Sequence, residues 1–426
     1  MTKLQYQGSI KVVAVRLTSD GGQSVDISKL FQTASIYEDI FANSMSGHIT
    51  MTETFNLPEV VPIIGEETIE FEFKSYKSHA NRTFKKAFRV TKVSNYVIDK
   101  NNSMVSYTID FISSEFEKNQ KLRLNRSFGS EKTPMLASDI VSEVCDKMLG
   151  IPKFKLTSDT TKFPRNIVCS NWSPFQLFNH LAETDIVDPA SQVVNKASTY
   201  LFYEDRTGFK FIPIAKLMED RLHDSDTMRV LSFDPVLKTN TLDVQTPENQ
   251  VIDFHIEKFA NNLDNTMNGM YSNRYVYHDI INKTLTESIV DYSNVFDAMS
   301  HPDGKRSYSL RTYRTQNTKE STLLLPAEYH YGNDLSGTRK WKQERRIALQ
   351  EFKNYNLVVT VSGSTRFKLG SILDCKLPSP RKKSDGTTDN YAQLSGKYLA
   401  TKIRHDFSMN HYYQTMNLSK GSQRKI

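Results

Sequence analysis

The sequence predicts an α+β protein that is mainly β. It should contain two antiparallel β-barrel domains, an inserted α+β domain and a further decorating segment. Three observations predict this. Aromatic residues are abundant, 24 Phe and 20 Tyr in 426 residues, and many sit in short alternating runs, the pattern of strands with one buried face. Helix punctuation is concentrated in one central stretch. A series of strand-like segments near the N-terminus recurs, in the same order, toward the C-terminus.

Residues 1–127 read as the first β domain. "SIKVVAVRL" is strand-like, and "ETIEFEFKS" sets Ile69, Phe71 and Phe73 against Glu70, Glu72 and Lys74. "FRVTKVSNYVID" and "MVSYTIDFIS" flank "KNNS", an Asn-rich turn, and read as a hairpin. The stretch "SIYEDIFANSMSGHITMTE", Ser35 to Glu53, is different. Ile36, Tyr37, Ile40 and Phe41 surround Glu38 and Asp39 at helix-like spacing. A short, turn-forming amphipathic piece is expected, joined through Gly47 to a strand. Gly47 should supply a backbone conformation closed to other residues. The four apolar side chains are candidate contact residues, or else they cap the barrel's own core. Glu38 and Asp39 read as solvated or interface carboxylates; adjacent side chains do not face each other, which argues against an acid/base pair.

The insert spans 128–225. Thr133 and Pro134 mark a helix start, and Leu136, Ile140, Val144 and Met148 recur every fourth residue before Gly150 and Pro152. Ser173 and Gln176 form a capping box, with Trp172 placed to staple the entering chain. "YLFYEDRTGFKFIPI" is a hairpin around Asp205 to Gly208, where Glu204 and Asp205 read as turn chemistry. The second β domain takes 226–279 and 353–426. A polar segment, 280–352, interrupts it and ends in a helix around Thr338 to Phe352. The basic clusters Arg339–Arg346 and Arg381–Lys383 read as solvated surface, and the loop Pro378–Asn390 as exposed and mobile.

The repeat is weak in identity but consistent in order. Thr91, Lys92 and Val93 fall on Thr401, Lys402 and Ile403, and "YTIDF" falls on "QTMNL". "IGEETIEFEF" pairs with "KLGSILDCKL", each with a glycine ahead of a strand. "GHITMTE" is set against "NGMYSNRYVYHD", with Gly47 on Gly269. A duplicated domain follows from this.

Signatures of chemistry are absent: no phosphate-binding glycine loop, zinc-protease or hydrolase motif, or calcium loop. No catalytic, metal or cofactor residue is nominated, and the scattered histidines, His405 and His411 included, read as surface or strand-packing. Cys145, Cys169 and Cys375 read as buried thiols of a reducing compartment. There is no signal-peptide pattern and no apolar run near the ~18 residues of a membrane span. A net charge of +7 raises nucleic-acid contact, but the basic residues are dispersed.

The order of elements resembles the central baseplate hub proteins of contractile-tailed bacteriophages. The resemblance rests on Gly47 before a strand, Trp172-Ser173-Pro174 opening a helix and Tyr203 with Gly208 and Phe209 in the hairpin. Gly370 before a strand and Lys402, Ile403 and His405 in the penultimate strand complete it. Gly47, Trp172, Gly208, Gly269 and Gly370 are then structural positions. The resemblance implies tube-like β domains and a homotrimer with pseudo-six-fold symmetry. That trimer would join a six-fold tail tube to a three-fold central spike around the DNA channel. Implied partners are tail tube or baseplate tube proteins, the spike, tape-measure protein and transiting DNA. The implied location is the tail baseplate of a virion assembled in the bacterial cytoplasm. Ile36, Tyr37, Ile40 and Phe41 become candidate tube or inter-subunit contacts. The competing readings are a tail-associated cell-wall hydrolase and a basic nucleic-acid-binding protein.

Overall fold

The computed structural model describes residues 8–61, 63–75, 83–99, 104–130, 132–185, 199–222, 229–232, 251–259, 262–280, 282–299, 301–303, 305–306, 323–324, 328–330, 338–365, 367–382, 388–391, 393–409 and 411–423. The "KNNS" turn and much of the 280–352 segment lie outside these residues.

Strands β1 (Ile10–Thr18), β2 (Phe31–Asp39), β3 (Ser46–Glu53), β4 (Thr68–Ser75), β5 (Thr83–Ile98) and β6 (Val105–Ile112) build the first domain. Alternation drives them: Ile69, Phe71 and Phe73 of β4 are buried with Phe88 of β5 and Phe111 of β6. The central insert holds helices α1 (Ser114–Lys121), α2 (Ala137–Val144) and α3 (Pro174–His180), the hairpin β7 (Tyr200–Asp205) and β8 (Gly208–Pro213), and α4 (Ile214–Leu222). α2 starts three residues later than the Thr133-Pro134 signal suggests, because Met135 and Leu136 first pair with Arg165 and Pro164. The Ser173–Gln176 capping box of α3 is complete.

The second domain contains β9 (Arg229–Ser232), β10 (Val251–Phe259), then, after an excursion, β13 (Tyr355–Ser362), β14 (Ile372–Lys376), β15 (Gly396–Ser408) and β16 (Tyr412–Lys420). The excursion carries β11 (Ser272–Asp279), β12 (Thr284–Asp291), α5 (Tyr292–Ala298) and α6 (Thr338–Phe352). β11 and β12 pair with each other, and β12 shares a small core with α5 and α6.

One sheet runs through both domains in the order β10-β13-β16-β15-β2-β3-β6-β5-β4-β1, with β14 on the near half of β15 and β9 beside β14. Within it the strands β2 to β6 and the strands β10, β13, β14, β15 and β16 have the same chain order and the same neighbours. The match extends to single bonds. β5 bulges between Val90 and Lys92, and β15 between Ala400 and Lys402. At each bulge a threonine donates its hydroxyl to the opposite carbonyl, Thr91 to Asp110 at 3.0 Å and Thr401 to Asn417 at 3.1 Å. Val90 N–H donates to Glu67 and Ala400 N–H to Ser371, at 2.9 Å each.

One segment of the repeat differs from the sequence alignment. The counterpart of β3 is β13, and Gly47 corresponds to Leu357, not Gly269. β11 belongs to the excursion's own sheet. Gly269 sits at φ 69° just past the short helix Asn262–Met267, a helix-ending role. Gly47 is ordinary extended strand; it is glycine for space, since a Cβ there would lie 2.4 Å from the Ser35 carbonyl oxygen and 2.5 Å from the Phe111 ring.

Candidate functional site at the seam between the repeated domains

The two domains are joined edge to edge. The far half of β15 pairs antiparallel with β2, from Lys402 opposite Asp39 to Ser408 opposite Thr33. This is the physical reason that Ser35–Asp39 is strand and not the helical turn its spacing suggests. Ile36 and Ile40, four apart, also satisfy a period of two, and pairing on both sides decides the matter. Ile36 is fully buried in the first core and Ile40 in the second. In exchange, Phe407 and Tyr412 enter the first core, where Phe407 stacks on Phe73 with ring centroids 4.3 Å apart. Tyr37 is half-buried on the opposite face of the sheet, against His48. Phe41 alone of the four candidate contacts is exposed, at 47%.

Glu38 is buried, not solvated. Its Oε1 lies 3.3 Å from His405 Nε2 and 3.4 Å from Arg206 Nε. His405 Nδ1 meets the Tyr412 hydroxyl at 2.7 Å. Burial holds His405 below its usual pKa, although neighbouring Glu38 opposes this. Arg206 comes from the β7–β8 turn of the insert and donates to the Phe367 carbonyl at 2.6 Å, so the turn ties insert, seam and second domain together. Asp205 does serve the turn, accepting from Thr207 N–H at 2.7 Å and Gly208 N–H at 3.1 Å. Glu204 instead reaches the first domain. It is buried, pairs with Lys86 and Ser113, and accepts from Met45 N–H at 2.9 Å; burial raises its pKa. Gly208 is required by contact as well as by its φ of 143°, since a Cβ would lie 2.2 Å from the Lys155 carbonyl oxygen. Gly370, at φ 70°, packs on Leu217 of α4. Trp172 is half-buried against His180, with centroids 4.7 Å apart.

The basic helix cluster is partly internal. Arg345 of α6 is buried and donates to the Tyr200 carbonyl at 2.7 Å. All three cysteines are free and buried. Among the described residues no group of three His, Cys, Asp or Glu could hold a metal ion, and no helix is long and apolar enough to cross a membrane.

The seam has two counterparts that stand open. By the repeat, the far half of β5 corresponds to the far half of β15, and β10 corresponds to β2. Among the described residues neither outer edge has a strand partner. Ile256 of β10 occupies the position of Ile36, yet is 41% exposed; Val97 of β5 is 61% exposed.

No protein-family model matches the sequence. The chain is 22% identical over 404 residues to the "Probable baseplate hub protein" of Vibrio phage KVP40, an alignment spanning 92% of this chain and 90% of that one. The fold superposes on the crystal structure of a tail protein from Neisseria meningitidis MC58, with TM-score 0.56, 8% identity and 96% of each chain covered. It also superposes on the 43 kDa tail protein of prophage MuSo2 from Shewanella oneidensis, with TM-score 0.54, 11% identity, and 96% of this chain and 98% of that one covered. The chain therefore has the fold of these tail proteins and is similar, along nearly its whole length, to a phage baseplate hub protein.

Proposed function

We propose that this chain is the structural hub of a phage tail baseplate. It acts as a homotrimer whose six β domains close a ring between a six-fold tail tube and a three-fold spike. One observation carries the reading. Within a chain, the two domains join by the β15–β2 seam, and the equivalent edges, far β5 and β10, are open. Three chains joined head to tail through those edges repeat one interface geometry six times and leave neither of these two edges open, which lessens the aggregation hazard of a lone monomer. The alternation of insert-bearing and excursion-bearing domains lowers the symmetry to three-fold on the outside. The role is one of geometry and attachment, not catalysis. Static light scattering of the purified chain should give three times the chain mass, and the complex with its tube and spike partners should contain three copies of the chain. A monomer under both conditions contradicts the reading.

A further inference from the structure

Along β13, β16, β2, β3 and β6, and along the parts of β15 and β5 beyond their bulges, the continuous sheet buries one face only. The cores, the insert residues Leu201 and Tyr203 and the α4 residues Ile214 and Leu217 all lie on that face. The opposite face is open, and its side chains are the half-buried or exposed positions of the alternating strands. In a ring built as proposed above, the face carrying the added layers must be convex, because only the outside has room for them. The bare face then lines the bore.

That face is hydroxylated and electrically balanced. Thr50 stands opposite Thr108 in the first domain, and Thr360 opposite Thr415 at the equivalent positions of the second. Six such threonine pairs would circle the ring. From β13 to β6, together with β15 from Lys402 onward and β5 from Lys92 onward, the ionised side chains of the face are three cations and three carboxylates, and each cation has a carboxylate partner. Lys92 lies 3.4 Å from Asp110, Lys402 3.1 Å from Asp39 and Arg404 2.7 Å from Asp406. The strand β10 adds Asp253 and Lys258, again one of each sign. The chain as a whole carries +7, so its excess positive charge lies away from this face.

We infer that the open face is a non-adhesive wall for a polyanionic duplex. Affinity for DNA comes from lysines and arginines that neutralise phosphates and release counterions. Here the cations are already matched, and within a Debye length of ~8 Å the paired charges cancel. Threonine hydroxyls exchange phosphate contacts for water at little cost. The wall neither holds the duplex nor repels it. This rests on the ring reading, and its test separates the two.

Particles carrying Thr108→Lys with Thr415→Lys place six new cations on the bore. DNA release, followed by the fluorescence of an added intercalating dye, should slow by about tenfold or more at low salt and recover as salt rises. Thr108→Asn with Thr415→Asn should release at the wild-type rate. Thr50→Lys with Thr360→Lys, on the neighbouring strands, should behave like the first pair. Wild-type release from the lysine particles, or equal slowing by the asparagine and lysine pairs, overturns the neutral wall while leaving the ring intact. A monomeric wild-type chain in light scattering removes ring and wall together.

Discussion

At the scale of single residues, the seam concentrates buried charge where two cores meet. Glu38, Arg206 and His405 come from three parts of the chain, and Glu38 and Arg206 depend on each other, since removing one partner of a buried pair leaves an uncompensated charge. His405 has a pH consequence. Its folded pKa lies below the ordinary value of 6.5 because burial disfavours the imidazolium. The unfolded chain therefore binds the proton more readily, and this site's stability is present above pH about 6.5 and lost as pH falls below it. In urea denaturation the His405→Gln variant should show a smaller loss of stability between pH 7.5 and 5.5 than the wild type. An equal or larger loss in the variant would show that His405 carries its proton in the folded state.

At the scale of elements, the sequence is readable where one strand face is buried and the other is not. β4, β5 and β6 follow from alternation alone, α3 from its capping box, and the β7–β8 hairpin from its aromatic strands and two-residue turn. The repeat was legible because Thr91 and Thr401 perform the same bulge-closing bond. Two things were not legible. β2 carries a spacing that serves helix and strand alike, and its second partner lies more than 360 positions away in β15. β13, the true counterpart of β3, lies beyond the excursion, and the similar-looking β11 precedes it in the chain. The stretch Ile36–Phe41 now divides into parts with different fates. Ile40→Ala should destabilise the folded chain by about 2–5 kcal/mol, because the side chain fills the second domain's core. Phe41→Ala should leave the melting temperature within about a degree or two, as an exposed substitution does, and Phe41 is the part of this stretch we propose as a contact with the tube. Differential scanning calorimetry of both variants decides this. A large loss with Phe41→Ala would make that side chain a core residue.

At the scale of the whole molecule, duplication, seam and open edges form one argument. A chain that has learned to pair its two halves already holds both sides of an interface with its neighbours. The register of that interface follows from the seam. Asp406 stands opposite Ser35. Their counterparts are Val97 and His255, since Val97 faces Ser106 as Asp406 faces Tyr413, and His255 faces Val358 as Ser35 faces His48. A shift of one residue would turn the side chains to opposite faces. The buried native cysteines leave room for a clean measurement: oxidation of a Val97→Cys, His255→Cys double variant, with the products resolved by denaturing electrophoresis. Covalent species up to a closed trimer are expected, and none from a Val97→Cys, Ile256→Cys control. Cross-linking in the control alone, or uncross-linked monomer from the in-register pair in particles or trimers of the correct mass, would contradict this interface.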